Sequence, residues 1–374
     1  SLDVVANQTA TLKKPVWNVV FKGNSLGAPI LKLDQGVDVG SINFKSDDPG
    51  DPFALILEGN NTIGTLKFAK TNHPFDVDSK GASRNQINRL EPGGEATLAL
   101  RGSNPLHIFD GTQDVKWNAE VSAGSSLEVQ SAGLFSGEVT ATLKGGSLRL
   151  PCGDYPKLTL KTDTADSTIE VNAAEKEPVL SVKDITLSNG DLKMKVPATW
   201  LHAPKAGDTV ILLEANAATL NGKAVKGDPN VDPADYWEVE ELTEANKKLV
   251  LTVKKNLPVP VLEKKVTSSG KRFVVDVKVS GDMLVEEDKW TAELLTLQGN
   301  VEDHDYVTPI DKSGKNARFH VNAASDFVSG TLRVYAKLGN FWGFVDVELK
   351  KAGGGGGTPG TPGTPGTPGT PGTP

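Results

Sequence analysis

The sequence predicts an all-β protein in three parts: a β-solenoid (β-helix) with a hairpin cap, an immunoglobulin-like β-sandwich and an extended polyproline II tail. Apolar residues recur as pairs two positions apart throughout residues 96–196, which places both side chains of a pair on one face of a strand. The pairs begin roughly every 8 to 12 residues, the spacing of all-β folds. Turn-forming Gly, Asn, Asp and Pro lie between them, and the chain ends in a Gly-Thr-Pro repeat.

The first 95 residues show the same alternation and lead into this stretch without a break. Apolar residues between positions 16 and 68 are separated by turn clusters, of which residues 47–52 are the clearest. Residues 71–94 have no apolar pattern. The sequence therefore predicts a long loop there on the β scaffold.

Two topologies compete for the region up to residue 196. In a parallel solenoid, the short strands of each coil stack on those of the next coil, and the connections vary in length. Antiparallel sandwiches need tight two-residue turns, and the Asn-Gly signal for these occurs only at residues 189–190 and 221–222. We therefore predict a solenoid over residues 1–257, with a C-terminal cap that begins with a hairpin at residues 185–194 and covers the last open strand edges.

Three segments near the end of this region carry a family resemblance: residues 207–213, 237–239 and 249–253. They resemble the closing segment of bacterial autotransporter-type β-helical passengers. The resemblance implies a secreted surface protein whose β-helix ends in a short hairpin cap. In this chain another module and a repeat tail follow, which departs from that family's pattern.

Residues 258–352 predict a second domain, because Pro258 and Pro260 mark a hinge and the apolar runs beyond them are longer. Seven strands in about 90 residues match an immunoglobulin-like sandwich, and the absence of a cysteine pair makes it the disulfide-free kind. The predicted strands are 261–267, 272–279, 290–298, 305–309, 317–321, 331–338 and 341–349.

The last two of these strands predict a hairpin in a defined register. A two-residue turn at residues 339–340 pairs Tyr335 with Phe344 and turns Phe341 toward the core of the sandwich. Tyr335, Trp342 and Phe344 then share the opposite face. They are candidate ligand-binding residues, either as a glycan platform or as a protein contact; the alternative is that they pack on a neighbouring loop or on the preceding domain.

Residues 353–374 form the tail, which begins with five glycines; the fifth, Gly357, is the first residue of six Gly-Thr-Pro triplets. Glycine at every third position is the collagen register, but six triplets are short for a triple helix. The sequence therefore favours a single-chain polyproline II spacer. A homo-oligomer held together by a collagen-like tail is the alternative.

Residues that bind metals or catalyse reactions are sparse. Asp228, Asn230, Asp232 and Asp235 have the alternating oxygen pattern of a calcium loop, without the glycine and glutamate of an EF-hand. Calcium is thus the one cofactor suggested, and an ordinary turn is the alternative. The five histidines are scattered, Cys152 has no histidine near it in sequence, and neither a nucleophile elbow nor a phosphate loop occurs, so no catalytic residue is predicted.

Composition argues against some classes of binding partner. The net charge of −7 argues against nucleic acid, which is bound by basic surfaces. The single cysteine excludes an internal disulfide, and the longest apolar runs are too short to span a bilayer.

We therefore expect a non-enzymatic bacterial protein of the cell surface or extracellular space. It would act as a structural or adhesive protein, with other copies of itself, cell-surface components or glycans as partners. A glycan-binding module on a spacer is a second hypothesis. A β-helical polysaccharide-cleaving enzyme is a third, and it requires facing acids and bases on adjacent coils.

Overall fold

A computed structural model of the 374-residue chain describes residues 2–5, 9–22, 30–45, 50, 52–81, 84–228, 236–257, 259–281, 284–285, 289–299, 301, 307–312, 314–339 and 341–351. These residues form an all-β structure with 30 strands and one short 3-10 helix, Ala132–Phe135. The predicted solenoid is confirmed.

The solenoid contains the first 23 strands. They are β1 (Leu2–Val5), β2 (Thr9–Leu12), β3 (Val16–Lys22), β4 (Ile30–Leu33), β5 (Asp38–Lys45), β6 (Ala54–Leu57), β7 (Thr62–Phe68), β8 (Phe75–Ser79), β9 (Asn85–Pro92), β10 (Thr97–Arg101), β11 (Leu106–Gly111), β12 (Trp117–Ser122), β13 (Ser126–Val129), β14 (Val139–Lys144), β15 (Ser147–Leu150), β16 (Gly153–Thr162), β17 (Ser167–Val171), β18 (Leu180–Leu187), β19 (Leu192–Lys195), β20 (Thr209–Thr219), β21 (Val225–Asp228), β22 (Trp237–Glu240) and β23 (Lys248–Val253).

These strands alternate between two sheets. The odd-numbered strands β1 to β21 form sheet 1, and the even-numbered strands β2 to β20 form sheet 2, so each coil supplies one strand to each sheet. Neighbouring strands within these sets are parallel. Strands β23 and β22 extend sheet 2 beyond β20 as an antiparallel hairpin.

The closing hairpin does not lie where the sequence predicted it. Strands β18 and β19, which contain most of residues 185–194, belong to different sheets and are consecutive strands of one coil. Gly190 lies in the bend between them, where only glycine fits. Its φ is +84°, and a Cβ atom there would lie 2.1 Å from the carbonyl carbon of Ala165 in the previous coil. The hairpin cap is instead β22 and β23, two of the segments that carry the family resemblance.

Apolar side chains stack in columns between the two sheets. Leu106, Leu127, Leu148 and Ile169 are paired in successive strands of sheet 1 and are all fully buried. Burial of one such side chain contributes about 1.5–3 kcal/mol. The core of the solenoid is therefore a continuous stack rather than a set of local clusters.

Buried polar side chains form hydrogen bonds with backbone groups where the coils bend. Asn61 donates from Nδ2 to the carbonyl oxygen of Asp34 at 2.6 Å. The Oδ1 atom of Asn85 accepts from the backbone N–H of Asn61 at 3.3 Å, and its Nδ2 atom donates to Ser79 Oγ at 3.0 Å and to the carbonyl of Lys80 at 3.1 Å. These bonds pair backbone groups that are buried or partly buried at the bends.

The predicted loop at residues 71–94 is wrong, since β8 and β9 both lie there. The apolar pattern is missing because β9 buries three amide side chains, Asn85, Gln86 and Asn88, beside its apolar residues. A polar sequence is compatible with a buried strand when its side chains make hydrogen bonds.

Strands β24 to β30 form a β-sandwich, and all seven predicted strands are present. They are β24 (Leu262–Ser269), β25 (Arg272–Val279), β26 (Trp290–Gln298), β27 (Val307–Lys312), β28 (Asn316–Asn322), β29 (Ser329–Leu338) and β30 (Phe341–Lys350). One sheet has the order β24-β25-β28-β27 and the other the order β26-β29-β30, with antiparallel neighbours. The predicted register of the last hairpin is confirmed, including the pairing of Tyr335 with Phe344.

We predict that Asn85→Ala lowers the free energy of unfolding by about 1–3 kcal/mol, because it leaves the buried backbone N–H of Asn61 without a partner. Urea denaturation measures the change. Asn118→Ala, at a half-buried position of β12, is the matched control and should change stability by less than about 0.5 kcal/mol. Equal effects of the two substitutions would contradict the role assigned to the buried amides.

Candidate functional site

The sandwich packs on the outer face of sheet 1, and each part inserts an aromatic ring into the other. Phe109 of β11 is fully buried and belongs to the hydrophobic core of the sandwich. Phe341 belongs to the core of the solenoid, where its ring centroid lies 5.3 Å from that of Tyr236 and 6.0 Å from that of Trp237. The prediction that Phe341 lies in the sandwich core is wrong, because β30 begins beside the cap of the solenoid.

The backbone also joins the two parts at the start of β30. The N–H of Trp342 donates to the carbonyl of Ala198 at 3.0 Å, and Trp342 forms a parallel bridge with Thr199. The next residue is Gly343, where a Cβ atom would lie 1.8 Å from the carbonyl oxygen of Pro260. Only glycine fits this close approach, which fixes β30 against the segment that precedes the sandwich.

The three predicted ligand-binding aromatic residues do not form an exposed platform. Tyr335 and Phe344 are each 7 % exposed and cluster with Ala173 of the solenoid, while Trp342 is half-buried beside them. The structure therefore has the alternative arrangement, in which they pack on the preceding domain. Ligand binding by these residues stays a prediction. A ligand that contacts them would have to lie in the cleft that Tyr335 and Trp342 line.

A buried arginine of β29 holds this interface together. Arg333 is 3 % exposed, and its guanidinium forms two hydrogen bonds with Asp346, at 2.6 and 2.7 Å, and one with Glu175 of the solenoid. The guanidinium carbon also lies 4.0 Å from the centroid of the Phe344 ring, a cation–π contact. Burial alone would lower the pKa of Arg333, but the hydrogen bond and charge of Asp346 raise it.

Charged side chains form a column on the covered face of sheet 1. His107, Glu128, Arg149 and Glu170 are paired in successive strands, and Lys195 forms an ion pair with Glu170. Neighbours in the column are 21 residues apart from His107 to Glu170, which is the length of one coil. Acidic side chains alternate with basic ones or histidine, so opposite charges lie next to each other across adjacent strands.

Burial under the sandwich shifts the protonation of this column. It lowers the pKa of His107 to about 2, assisted by the charges of Arg84 and Arg149. It also raises the pKa of Glu128, although Arg149 opposes that shift. Nδ1 of His107 lies 3.2 Å from Oε2 of Glu128, but without the angles of a hydrogen bond. His107 is therefore neutral. The cation that pairs with Glu128 is Arg149, at a distance of 3.4 Å.

At its C-terminal end the column opens into a cleft between the two parts. The cleft has a volume of about 380 Å³, within the range of small-molecule sites. Its polar and aromatic lining comes from the solenoid and the sandwich: Arg149, Glu170, Asn172, Lys195, Thr199, Thr291, Glu293, Tyr335 and Trp342. Burial and the charge of Glu293 raise the pKa of Tyr335, whose hydroxyl donates to that carboxylate. The cleft is the candidate functional site.

A second, more apolar cavity of about 290 Å³ lies near the first coils. Trp17, Val39 and Gly40 of the solenoid line it together with Leu297 and Val301 of the sandwich. The sandwich therefore extends along sheet 1 from the cap to the strands near the N-terminus.

Sequence analysis predicted two residues of the cleft, Tyr335 and Trp342, and missed the others. The signal that would have identified them is the 21-residue spacing from His107 to Glu170, in step with that of Leu106, Leu127, Leu148 and Ile169. Charged residues at this spacing form one column on the outside of a solenoid.

The predicted calcium loop is described only at Asp228, the last residue of β21, whose carbonyl accepts from the N–H of Val196. Asn230, Asp232 and Asp235 lie outside the described residues. Within the described part of the chain, no three His, Cys, Asp or Glu side chains come together in a group that could hold a metal ion. That part of the chain also has no helix long and apolar enough to cross a membrane.

Comparisons with protein families, curated proteins and solved structures find no match to this chain.

We predict that Arg333→Met weakens the interface and lowers the free energy of unfolding by about 2 kcal/mol. The loss is smaller than the 3–5 kcal/mol of a fully buried ion pair, because Asp346 and Glu175 keep part of their solvation. Urea denaturation is the measurement. The control is Arg318→Met, which removes a half-exposed ion pair with Asp276 and should cost less than about 1 kcal/mol. If both variants lose the same stability, Arg333 does not have the role assigned to it.

Neutral, buried His107 makes stability depend on pH. In the unfolded chain this histidine takes up a proton near pH 6.5, whereas in the folded protein it stays neutral down to about pH 2. The unfolded state then binds more protons between these values, so acidification destabilises the fold by up to about 1.4 kcal/mol per pH unit. We expect His107→Gln to remove this part of the slope when urea unfolding is compared at pH 7, 6 and 5.

The control for this prediction is His73→Gln, at an exposed position between β7 and β8. It should keep the slope of the unsubstituted protein. An unchanged slope in the His107 variant would show that this histidine is not held neutral.

Proposed function

We propose that the chain is a non-enzymatic structural or adhesive protein of the bacterial cell surface or extracellular space. The observation that carries this proposal is the buried interface that joins the sandwich to the flank of the solenoid. Phe109, Phe341 and Arg333 link the two cores, so the protein presents a long, stiff β surface rather than two modules on a hinge. The resemblance to autotransporter-type passengers agrees with a surface location.

Two finer assignments belong to the same proposal. The strand orders of the sandwich, β24-β25-β28-β27 and β26-β29-β30, support an immunoglobulin-like module, because this is the ABED and CFG arrangement of constant-type domains. Residues 353–374 lie outside the described residues. We assign to them the role of an uncharged polyproline II spacer that would hold the folded part away from its anchoring point.

The pairing of reactive groups in the cleft favours a binding role over catalysis. Lys195 is paired with Glu170, and the hydroxyl of Tyr335 donates to Glu293. A general acid or base has to be within reach of the proton that it transfers, and these groups are instead directed at each other. We therefore assign no catalytic residue.

Location is the property that tests this proposal. We expect an antibody against the purified chain to detect the protein in the surface or secreted fraction of the bacterium that produces it. Proteinase K added to intact cells should digest the surface-bound protein while a cytoplasmic marker stays whole. Co-fractionation with that marker, together with protection from protease in intact cells, would overturn the proposal.

A further inference from the structure

The apolar cavity near the first coils carries an aromatic side chain that the folded part leaves in water. Trp17 is 82 % exposed, the most exposed large apolar side chain among the described residues. Pro15 and Val16 line the cavity beside it, and Val301 lines it from the sandwich. Large aromatic side chains contribute much of the binding energy of interfaces, because they bury a large apolar area with few rotatable bonds. Trp17 therefore marks an interaction surface.

The cavity presents backbone next to this ring. A Cβ atom at Gly40 would lie 2.3 Å from the carbonyl oxygen of Trp17, so the neighbouring strands approach too closely for any other residue. Gly40 consequently contributes no side chain to the lining. Asp38 is the only ionisable residue in the described lining. A cavity of this kind fits an uncharged and largely apolar chain segment.

The Gly-Thr-Pro repeat of residues 357–374 has this chemistry. It carries no charge, and proline occupies every third position. A polyproline II helix has three residues per turn, so the proline rings would lie along one edge. Segments with this proline spacing dock in aromatic-lined grooves, because the extended conformation is already formed and little entropy is lost. Their carbonyl groups have no internal partners, and the indole N–H of Trp17 is a donor.

The chain leaves the sandwich close to the cavity. The N–H of Lys351 donates to the carbonyl of Val328 at 3.1 Å. Two residues earlier, Leu349 is separated from Leu297 by one strand, β29, which makes the gap about 10 Å, twice the spacing of neighbouring strands. Leu297 lines the cavity. Residues 352–357 span up to about 20 Å when extended, so the repeat is within reach of the cavity.

We propose that the Gly-Thr-Pro repeat docks in the apolar cavity of its own chain, with proline rings against Trp17. The short connection gives the repeat a millimolar effective concentration at the cavity, which favours the tail of the same chain over that of a second copy. One or two triplets suffice to cover the ring, and the remaining triplets continue as the spacer. The spacer would then leave the folded part beside the first coils rather than at the end of β30.

Disulfide trapping in the full chain tests this proposal. In a Cys152→Ser background, which removes the natural thiol, Thr364→Cys places a thiol in the repeat and Asp38→Cys places another in the cavity. The control combines Thr364→Cys with Ser325→Cys, an exposed position whose carbonyl accepts from the side chain of Lys351. An undocked tail meets position 325 at least as often as position 38, because position 325 lies beside the start of the tail.

We expect the intramolecular disulfide of the Asp38 variant to form about tenfold faster than that of the Ser325 control, in a glutathione redox buffer at micromolar protein. Electrophoresis without reducing agent separates this product from the open monomer and from disulfide-linked dimers. Equal or slower trapping at position 38 would overturn the proposal. Dimers as the main product would also overturn it, because the cavity would then hold the tail of a second copy.

Two substitutions added to the Asp38 variant test the ring itself. Trp17→Ala should lower the rate of trapping to that of the Ser325 control. Val328→Ala should leave the rate unchanged, although Val328 is also exposed, at 58 %, and lies beside Lys351. A rate that Trp17→Ala leaves unaltered, or that both substitutions lower equally, would overturn the assignment of Trp17.

A change confined to the repeat avoids any effect on the folded part. Replacement of Pro362, Pro365 and Pro368 by serine removes much of the apolar edge while it keeps the length of the tail. We expect it to lower the rate of trapping as much as Trp17→Ala does. An unchanged rate would show that the prolines do not hold the repeat in the cavity.

The result is independent of where the protein is located. A surface protein whose tail stays undocked would retain the proposed function and lose the docking site. A cytoplasmic protein with a docked tail would retain the docking site and lose the proposed function.

Discussion

Residue-for-residue pairing of parallel strands is the constraint on which the rest of this structure depends. Because each coil sits on the next in register, whatever occupies one position of a coil meets its counterpart directly above and below. Leucine at such a position makes an apolar stack, and a buried asparagine hydrogen-bonds to the neighbouring coil. An unsuitable side chain is correspondingly unfavourable, since it would disturb two neighbours at once.

The same constraint explains the covered face of sheet 1. Outward-pointing residues also form columns, and the alternation of Glu128, Arg149 and Glu170 beyond the neutral His107 places opposite charges on adjacent strands. Charges of this kind are tolerated under a second domain only when they are paired, because burial removes their hydration. The column thus gives the sandwich a flank with little net charge on which to pack, while Arg333 supplies the specific ion pairs that fix its position.

Local patterns predicted much of the fold and little of the site. Pairs of apolar residues two positions apart were sufficient to predict the strands of the solenoid. The register of the last hairpin followed from its short turn. Strand β9 was missed because amide side chains replace apolar residues at several of its buried positions. The neighbours of Phe341, Tyr335 and Phe344 depend on how the solenoid and the sandwich meet. No pattern within either segment encodes that contact.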